Sequence, residues 1–145
     1  MVGAYLDASV LVSMLLDETA SPIVDAWITR TEARLFVSDL AAAEVSSAIS
    51  LAVRNRRQTV ADARRRMHDF DIWRANIAFE AETRPEDVRT ADSFVRRFDL
   101  KLKTPDAIHA ATALRMEATL ITLDRRLLLA AAALGVRVAE PTVSD

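Results

Sequence analysis

The chain has 145 residues, of which 51% are hydrophobic and 28% charged, with 2 glycines, 4 prolines, no cysteine and a formal net charge of −2. That length suits one domain with a sizeable core. The missing cysteines exclude disulfides and thiolate metal sites, and two glycines leave no glycine-rich loop for nucleotide phosphates. The longest uncharged runs, such as 127–136, fall well short of the roughly 18 residues of a membrane span.

In chain order, residues 2–6 read as a buried strand that stops at Asp7. Helices are expected at 9–16 and 22–30, the second with Ser21 as N-cap and Pro22 at its first position. Residues 35–37 form a second strand candidate, closed by Ser38 ahead of a helix that holds Glu44. Thr59 caps a further helix with Val60, Ala63, Met67 and Phe70 at spacings of three and four. A weaker strand is expected at 76–79. Thr83 to Glu86 has the form of a capping box, before a helix with Val88, Ala91, Val95 and Phe98 on one face. Thr104-Pro105 opens the next helix. A strand at 119–122 leads to Asp124, a helix at 125–134 ends at Gly135, and the last strand covers 136–139.

Strands alternating with helices predict an α/β sandwich of about five mostly parallel strands, covered on both faces. No repeat, linker or low-complexity segment divides the chain. In such sheets a site lies beyond the carboxyl ends of the strands, where the chain order reverses. The apolar segment after Asp7 has neither a basic leader nor a cleavage-like site, so the expected compartment is the cytoplasm.

Three aspartates fall where this architecture sends residues toward its site. Asp7 ends the first strand, Asp124 follows the strand at 119–122, and Asp106 lies in the first turn of the helix begun by Thr104. Each has a plain alternative, as an N-cap or as a complement to a helix dipole. Glu44 is different, because it sits mid-helix on the side of Leu40 and Ala48, where no cap is needed. Its plain alternative is an ion pair with an arginine, or a carboxylate reaching past small alanines to water. If the strands ending at Asp7 and Asp124 are neighbours, their ends lie about 4.8 Å apart. Two like charges at about 4 Å repel by about 4 kcal/mol at an effective dielectric of 20. Four acids gathered together therefore need a compensating charge, and a hard cation with oxygen ligands supplies it.

Tyr5-Leu-Asp7-Ala-Ser9, the Ser38…Glu44 helix, the run from Thr104-Pro-Asp106 to Ala113, and Ile121-Thr122-Leu-Asp124-Arg-Arg-Leu127 resemble the four motif blocks of PIN-domain nucleases. They are most similar to the VapC-type toxins of toxin–antitoxin pairs. The resemblance implies a single PIN-like domain over 1–145, a three-layer sandwich with the first strand beside the fourth. It implies a metal-dependent endoribonuclease with Asp7, Glu44, Asp106 and Asp124 as its acidic set. Mg²⁺ or Mn²⁺ would be the cofactor, RNA the substrate and a cognate antitoxin the partner, in a homodimer with no membrane attachment. Asp7 and Asp106 are expected as direct metal ligands, with Asp124 and Glu44 completing the site directly or through water. Ser9 and Thr122 are expected to orient carboxylates or water from behind. The competing readings are a catalytically silent PIN-like module that binds partners through the same pocket, and a phospho-receiver. The second is disfavoured because the only lysines, Lys101 and Lys103, precede the Asp106 helix rather than following a strand.

His109 lies three residues after Asp106 but reads as structural, since oxygen-rich Mg²⁺ sites rarely recruit imidazole. His68 reads as solvated, and Trp27 and Trp73 as core or interface anchors. Six arginines (Arg54, Arg56, Arg57, Arg64, Arg65, Arg66) crowd one segment with Asp62 as the single acid among them. They read as a solvated helix face or, functionally, as a rail for RNA phosphates or a dock for an acidic segment.

Overall fold

The computed structural model describes residues 3–143. Five strands form one all-parallel sheet: β1 (Ala4–Leu6), β2 (Leu35–Ser38), β3 (Phe79–Ala81), β4 (Thr119–Ile121) and β5 (Val138–Ala139). Their order across the sheet is β3-β2-β1-β4-β5, so β1 is central and the chain order reverses between β1 and β4. Tyr5 is in register with Phe36 of β2 on one side and Leu120 of β4 on the other.

Side chains alternate between the faces, as the strand pleat requires. Ala4, Leu6, Leu35, Val37 and Ile121 enter one core, which is closed by α1 (Ala8–Leu15), α2 (Ser21–Arg30), α3 (Asp39–Arg54) and α4 (Val60–Asn76). Tyr5 and Leu120 enter the other, which is closed by α5 (Pro85–Val95), α6 (Thr104–Arg115) and α7 (Arg125–Ala133). The result is the expected three-layer sandwich. Strands of this length, buried on both faces, carry continuous apolar runs, which is why residues 4–6 showed no alternation of their own.

Several helix starts follow their local chemistry. Ser38 accepts from the Ala41 N–H and Thr59 from the Asp62 N–H, each satisfying a donor that the helix itself leaves open. Gly135 adopts a left-handed φ of 86° after α7, and the Val136 N–H returns to the Ala131 carbonyl.

Other expectations are corrected. Ser21 does not cap α2. Its hydroxyl donates to the Leu16 carbonyl and accepts from the Glu18 N–H, tying the preceding turn, and Ala20 holds the cap position. The box before α5 is shifted by one residue, with Asp87 accepting from the Arg84 N–H. Its buried side is accordingly Asp87, Ala91 and Phe94, while Val88 is 46% exposed and Phe98, in a separate 3-10 turn, 82% exposed. The weak strand lies later than 76–79, because Asn76 completes the last turn of α4. Val2, expected in the first strand, lies outside the described residues.

The buried carboxylate Asp87 is paired bidentately with Arg115 of α6, at 2.8 and 3.0 Å, and Arg115 also donates to the Glu82 carbonyl at 2.7 Å. Burial alone would raise this carboxyl, but the Arg115 guanidinium and the Arg84 N–H hold it below the usual range. The pair pins α5 to α6 on the face where alanines let the two helices approach closely.

Candidate active site

The carboxyl ends of β1 and β4 lie side by side, with the Asp7 N–H donating to the Ile121 carbonyl at 3.2 Å. Asp7 is buried (4% exposed) and starts α1, and both its oxygens are held. Oδ1 accepts from the Ser9 hydroxyl at 2.6 Å and the Val10 N–H at 3.2 Å, and Oδ2 from the Thr122 hydroxyl at 2.5 Å. Ser9 and Thr122 are themselves anchored, since the Leu123 and Asp124 N–H groups donate to their hydroxyl oxygens at 3.0 Å each. Burial pushes the Asp7 carboxyl above the usual carboxylate range, against the pull of these hydrogen bonds. A carboxylate oxygen offers about two acceptor directions, so Oδ1 is filled and Oδ2 retains one.

Asp124 caps α7. Its Oδ1 accepts from the Arg126 and Leu127 N–H groups at 2.9 and 3.3 Å, and Oδ2 takes no hydrogen bond among the described residues. Asp106 is half-buried in the first turn of α6. Its carboxyl is raised above the ordinary range by burial first and by the charge of Asp124 next. Asp7 and Glu44 add to this, and His109 opposes it. The Asp106 carboxyl thus feels the other three acids across one end of the sheet.

Glu44 stands at the border of the buried face of α3, which is formed by Ala41, Val45, Ile49 and Ala52. Its hydrogen-bond partner is not an arginine, and the side chain keeps 31% of its surface exposed to water. The carboxylate Oε1 meets Nε2 of His109, a residue only 1% exposed. Nδ1 of the same ring lies 2.6 Å from the Tyr5 hydroxyl, which lies 2.9 Å from the hydroxyl of Ser38, the cap of α3. Burial raises the Tyr5 ionisation well above its ordinary value, so the phenol keeps its proton. With Ser38 donating to Tyr5, Tyr5 to Nδ1 and Nε2–H to Glu44, every donor in this buried chain has an acceptor. His109 bridges Glu44 and Tyr5, a link that had no signal at sequence level. Only a polar residue among the alanines of α6 could have hinted at it.

The chemistry of the donors suits a hard cation, being all oxygen, partly desolvated and mutually repulsive. Among the described residues, however, no three acidic or imidazole groups stand close enough to share one ion. Both Asp7 oxygens are hydrogen-bonded to the scaffold, whereas Glu44 and Asp124 each have one oxygen so engaged.

The arginine segment lies elsewhere and is partly engaged. Arg54 donates to Ser50, Arg65 pairs with Asp62, and Arg66 donates to Gln58 and to the Leu15 carbonyl. Arg54 and Arg64 border an apolar groove of about 520 Å³ between α3 and α4, with Ile49, Val53 and Met67 at its base.

The family model for the PIN domain matches residues 4–133. The chain is 36% identical over 141 residues to Ribonuclease VapC45 of Mycobacterium tuberculosis, covering 93% of each protein. The crystal structure of Mycobacterium tuberculosis VapC20, described as a sarcin-ricin loop cleaving toxin, superposes with a TM-score of 0.72 at 13% identity, covering 92% of this chain and 96% of that one. VapBC2 from Rickettsia felis, bound to a DNA fragment from its promoter, gives a TM-score of 0.69 at 12% identity, covering 94% and 97%.

Proposed function

The chain belongs to the PIN-domain family, and from that premise we propose that it is the endoribonuclease toxin of a toxin–antitoxin pair, cutting RNA at Asp7, Glu44, Asp106 and Asp124 with Mg²⁺ or Mn²⁺. The observation that carries the site is the state of Asp7. A desolvated carboxylate, held by two side-chain hydroxyls and a main-chain N–H at the switch point of a parallel sheet, costs stability that a purely structural role would not require.

Hydrolysis of a phosphodiester needs an activated water, neutralisation of the phosphoryl oxygens and help for the leaving oxygen. Asp7, Asp106 and Asp124 would hold a hard divalent cation, which would supply that chemistry. The protein's own part is orientation. Ser9 and Thr122 fix the plane of the Asp7 carboxylate, the α7 N–H groups fix Asp124, and His109 fixes Glu44 through one of its oxygens. Asp106 and Asp124 share a cavity with Lys101, Lys103, Arg125 and Arg126.

The partner is a cognate antitoxin, and the working form a homodimer in the cytoplasm. No helix among the described residues is long and apolar enough to cross a membrane. The apolar side of α1 is spent on the core through Val10, Leu11 and Leu15, whereas α4 borders the groove against α3.

The test is Asp7→Asn protein, folded by circular dichroism and assayed on single-stranded cellular RNA with Mg²⁺, Mn²⁺ or chelator. Loss of cleavage is expected, and undiminished cleavage would remove Asp7 from the mechanism.

A further inference from the structure

The two ends of the acidic site differ in charge. On the side of α1 and α3, Glu44 and Ser9 border a depression of about 580 Å³ whose other polar walls include Ser13, Glu18 and Thr19, with no lysine or arginine. On the side of α6 and α7, Asp106 and Asp124 share a cavity of about 260 Å³ with Lys101, Lys103, Arg125 and Arg126. These include both lysines of the chain. Arg125 reaches Glu140 at 3.4 Å across exposed surface, a weak attachment. Lys101, Lys103 and Arg126 have no ion-pair partner among the described residues, although acids outnumber bases in the chain by 21 to 19.

A carboxylate set by itself repels a polyanion, so an acidic site that takes RNA needs positive charge beside it. That charge is present on one side only. We propose that Lys101, Lys103 and Arg126 form a phosphate-binding subsite that holds the RNA backbone next to the scissile bond. The flanking phosphates then run over the α6–α7 side, and the α1–α3 depression receives no phosphate. This rests on the ribonuclease reading above and adds the direction in which the substrate lies. Ammonium groups on flexible stems suit phosphate as point charges, and the guanidinium adds paired donors. Their cavity is the one that contains two of the four carboxylates, so RNA seated there brings its backbone to the reacting side chains.

The experiment is binding of a fluorescent single-stranded RNA in chelator, read by anisotropy over a range of KCl, for wild type, the single variants Lys101→Ala, Lys103→Ala and Arg126→Ala, and the triple variant. Each lost phosphate contact is expected to reduce the slope of log K against log[salt] by about 0.7, and the triple variant by about 2. Arg64→Ala with Arg65→Ala on α4 is expected to keep the wild-type slope. A triple variant with the wild-type slope overturns the subsite, and if wild type still cleaves RNA the ribonuclease reading survives that result. An equal loss in the α4 variant overturns it too, because the attraction is then diffuse. So does an unchanged RNA slope in a triple variant that no longer binds poly-glutamate, which would assign the rim to a protein partner. A reduced slope in the variants, with a wild type that cleaves no RNA in Mg²⁺ or Mn²⁺, supports the subsite and counts against the ribonuclease reading instead.

Discussion

His109 of α6 holds the Glu44 carboxylate of α3 on one ring nitrogen and the Tyr5 hydroxyl of β1 on the other, so three elements meet in one imidazole. Tyr5→Phe removes a single buried hydroxyl and keeps the ring. Leaving Nδ1 and Ser38 short of a partner costs about 1–3 kcal/mol. The variant is expected to fold, to unfold at lower urea, and to cleave RNA about 10–100-fold more slowly, because the support behind a site carboxylate has loosened. His109→Gln, which can keep an N–H toward Glu44, should recover part of the rate that His109→Ala loses. Wild-type cleavage by a destabilised Tyr5→Phe protein would reduce the chain of hydroxyls to packing.

Thr122→Val conserves shape and deletes the donor to Asp7 Oδ2. Removal of such a supporting group typically lowers metal affinity or activity about 10–100-fold. Mn²⁺ at a hundredfold excess over its Kd should stabilise the wild type by about 2.7 kcal/mol. Thr122→Val should need more metal for the same gain, and Asp7→Asn should show almost none. Differential scanning fluorimetry over a metal titration reads all three. Equal metal responses in wild type and Asp7→Asn would place the ion elsewhere.

The Asp87–Arg115 pair supplies a pH dependence remote from the site. A carboxyl held below its unfolded value contributes stability that is fully present above the unfolded pKa, near 3.9 for an aspartate, and is lost as pH falls through the folded pKa. Urea unfolding from pH 7 down to pH 2 should show wild-type stability falling across that window, and Asp87→Asn a flatter profile there. Arg115→Ala leaves a buried carboxylate without its counter-charge and should cost about 3–5 kcal/mol at neutral pH. A cost below 1 kcal/mol would show that water reaches Asp87.

What could be read along the chain was local. Ser38, Thr59 and Gly135 act on residues within a turn of themselves, and the strand leading to Asp7 ends where apolar residues end. Asp7 and Asp124 were readable twice, as caps and as site residues, and the structure has them capping with Oδ1 while Oδ2 differs in its engagement. Partner choice was not readable. Glu44 and His109 are 65 residues apart, and Asp87 and Arg115 are 28 apart. Whether such side chains meet is decided by how the helices pack against the sheet and against one another, which no spacing records. The face of α5 was misplaced for the same reason. Its apolar residues suggested Val88 and Phe98, but the charge pair with Arg115 turned Asp87 inward instead.

The double duty of Asp7 and Asp124 bears on how a disarmed form of this protein should be made. Asparagine starts a helix about as well as aspartate, whereas alanine forfeits roughly 1 kcal/mol at such a position. An alanine knock-out would therefore confuse a silenced site with a frayed helix. An amide in place of either acid removes the charge and preserves the scaffold, yielding an inert copy that keeps its shape for capturing bound RNA.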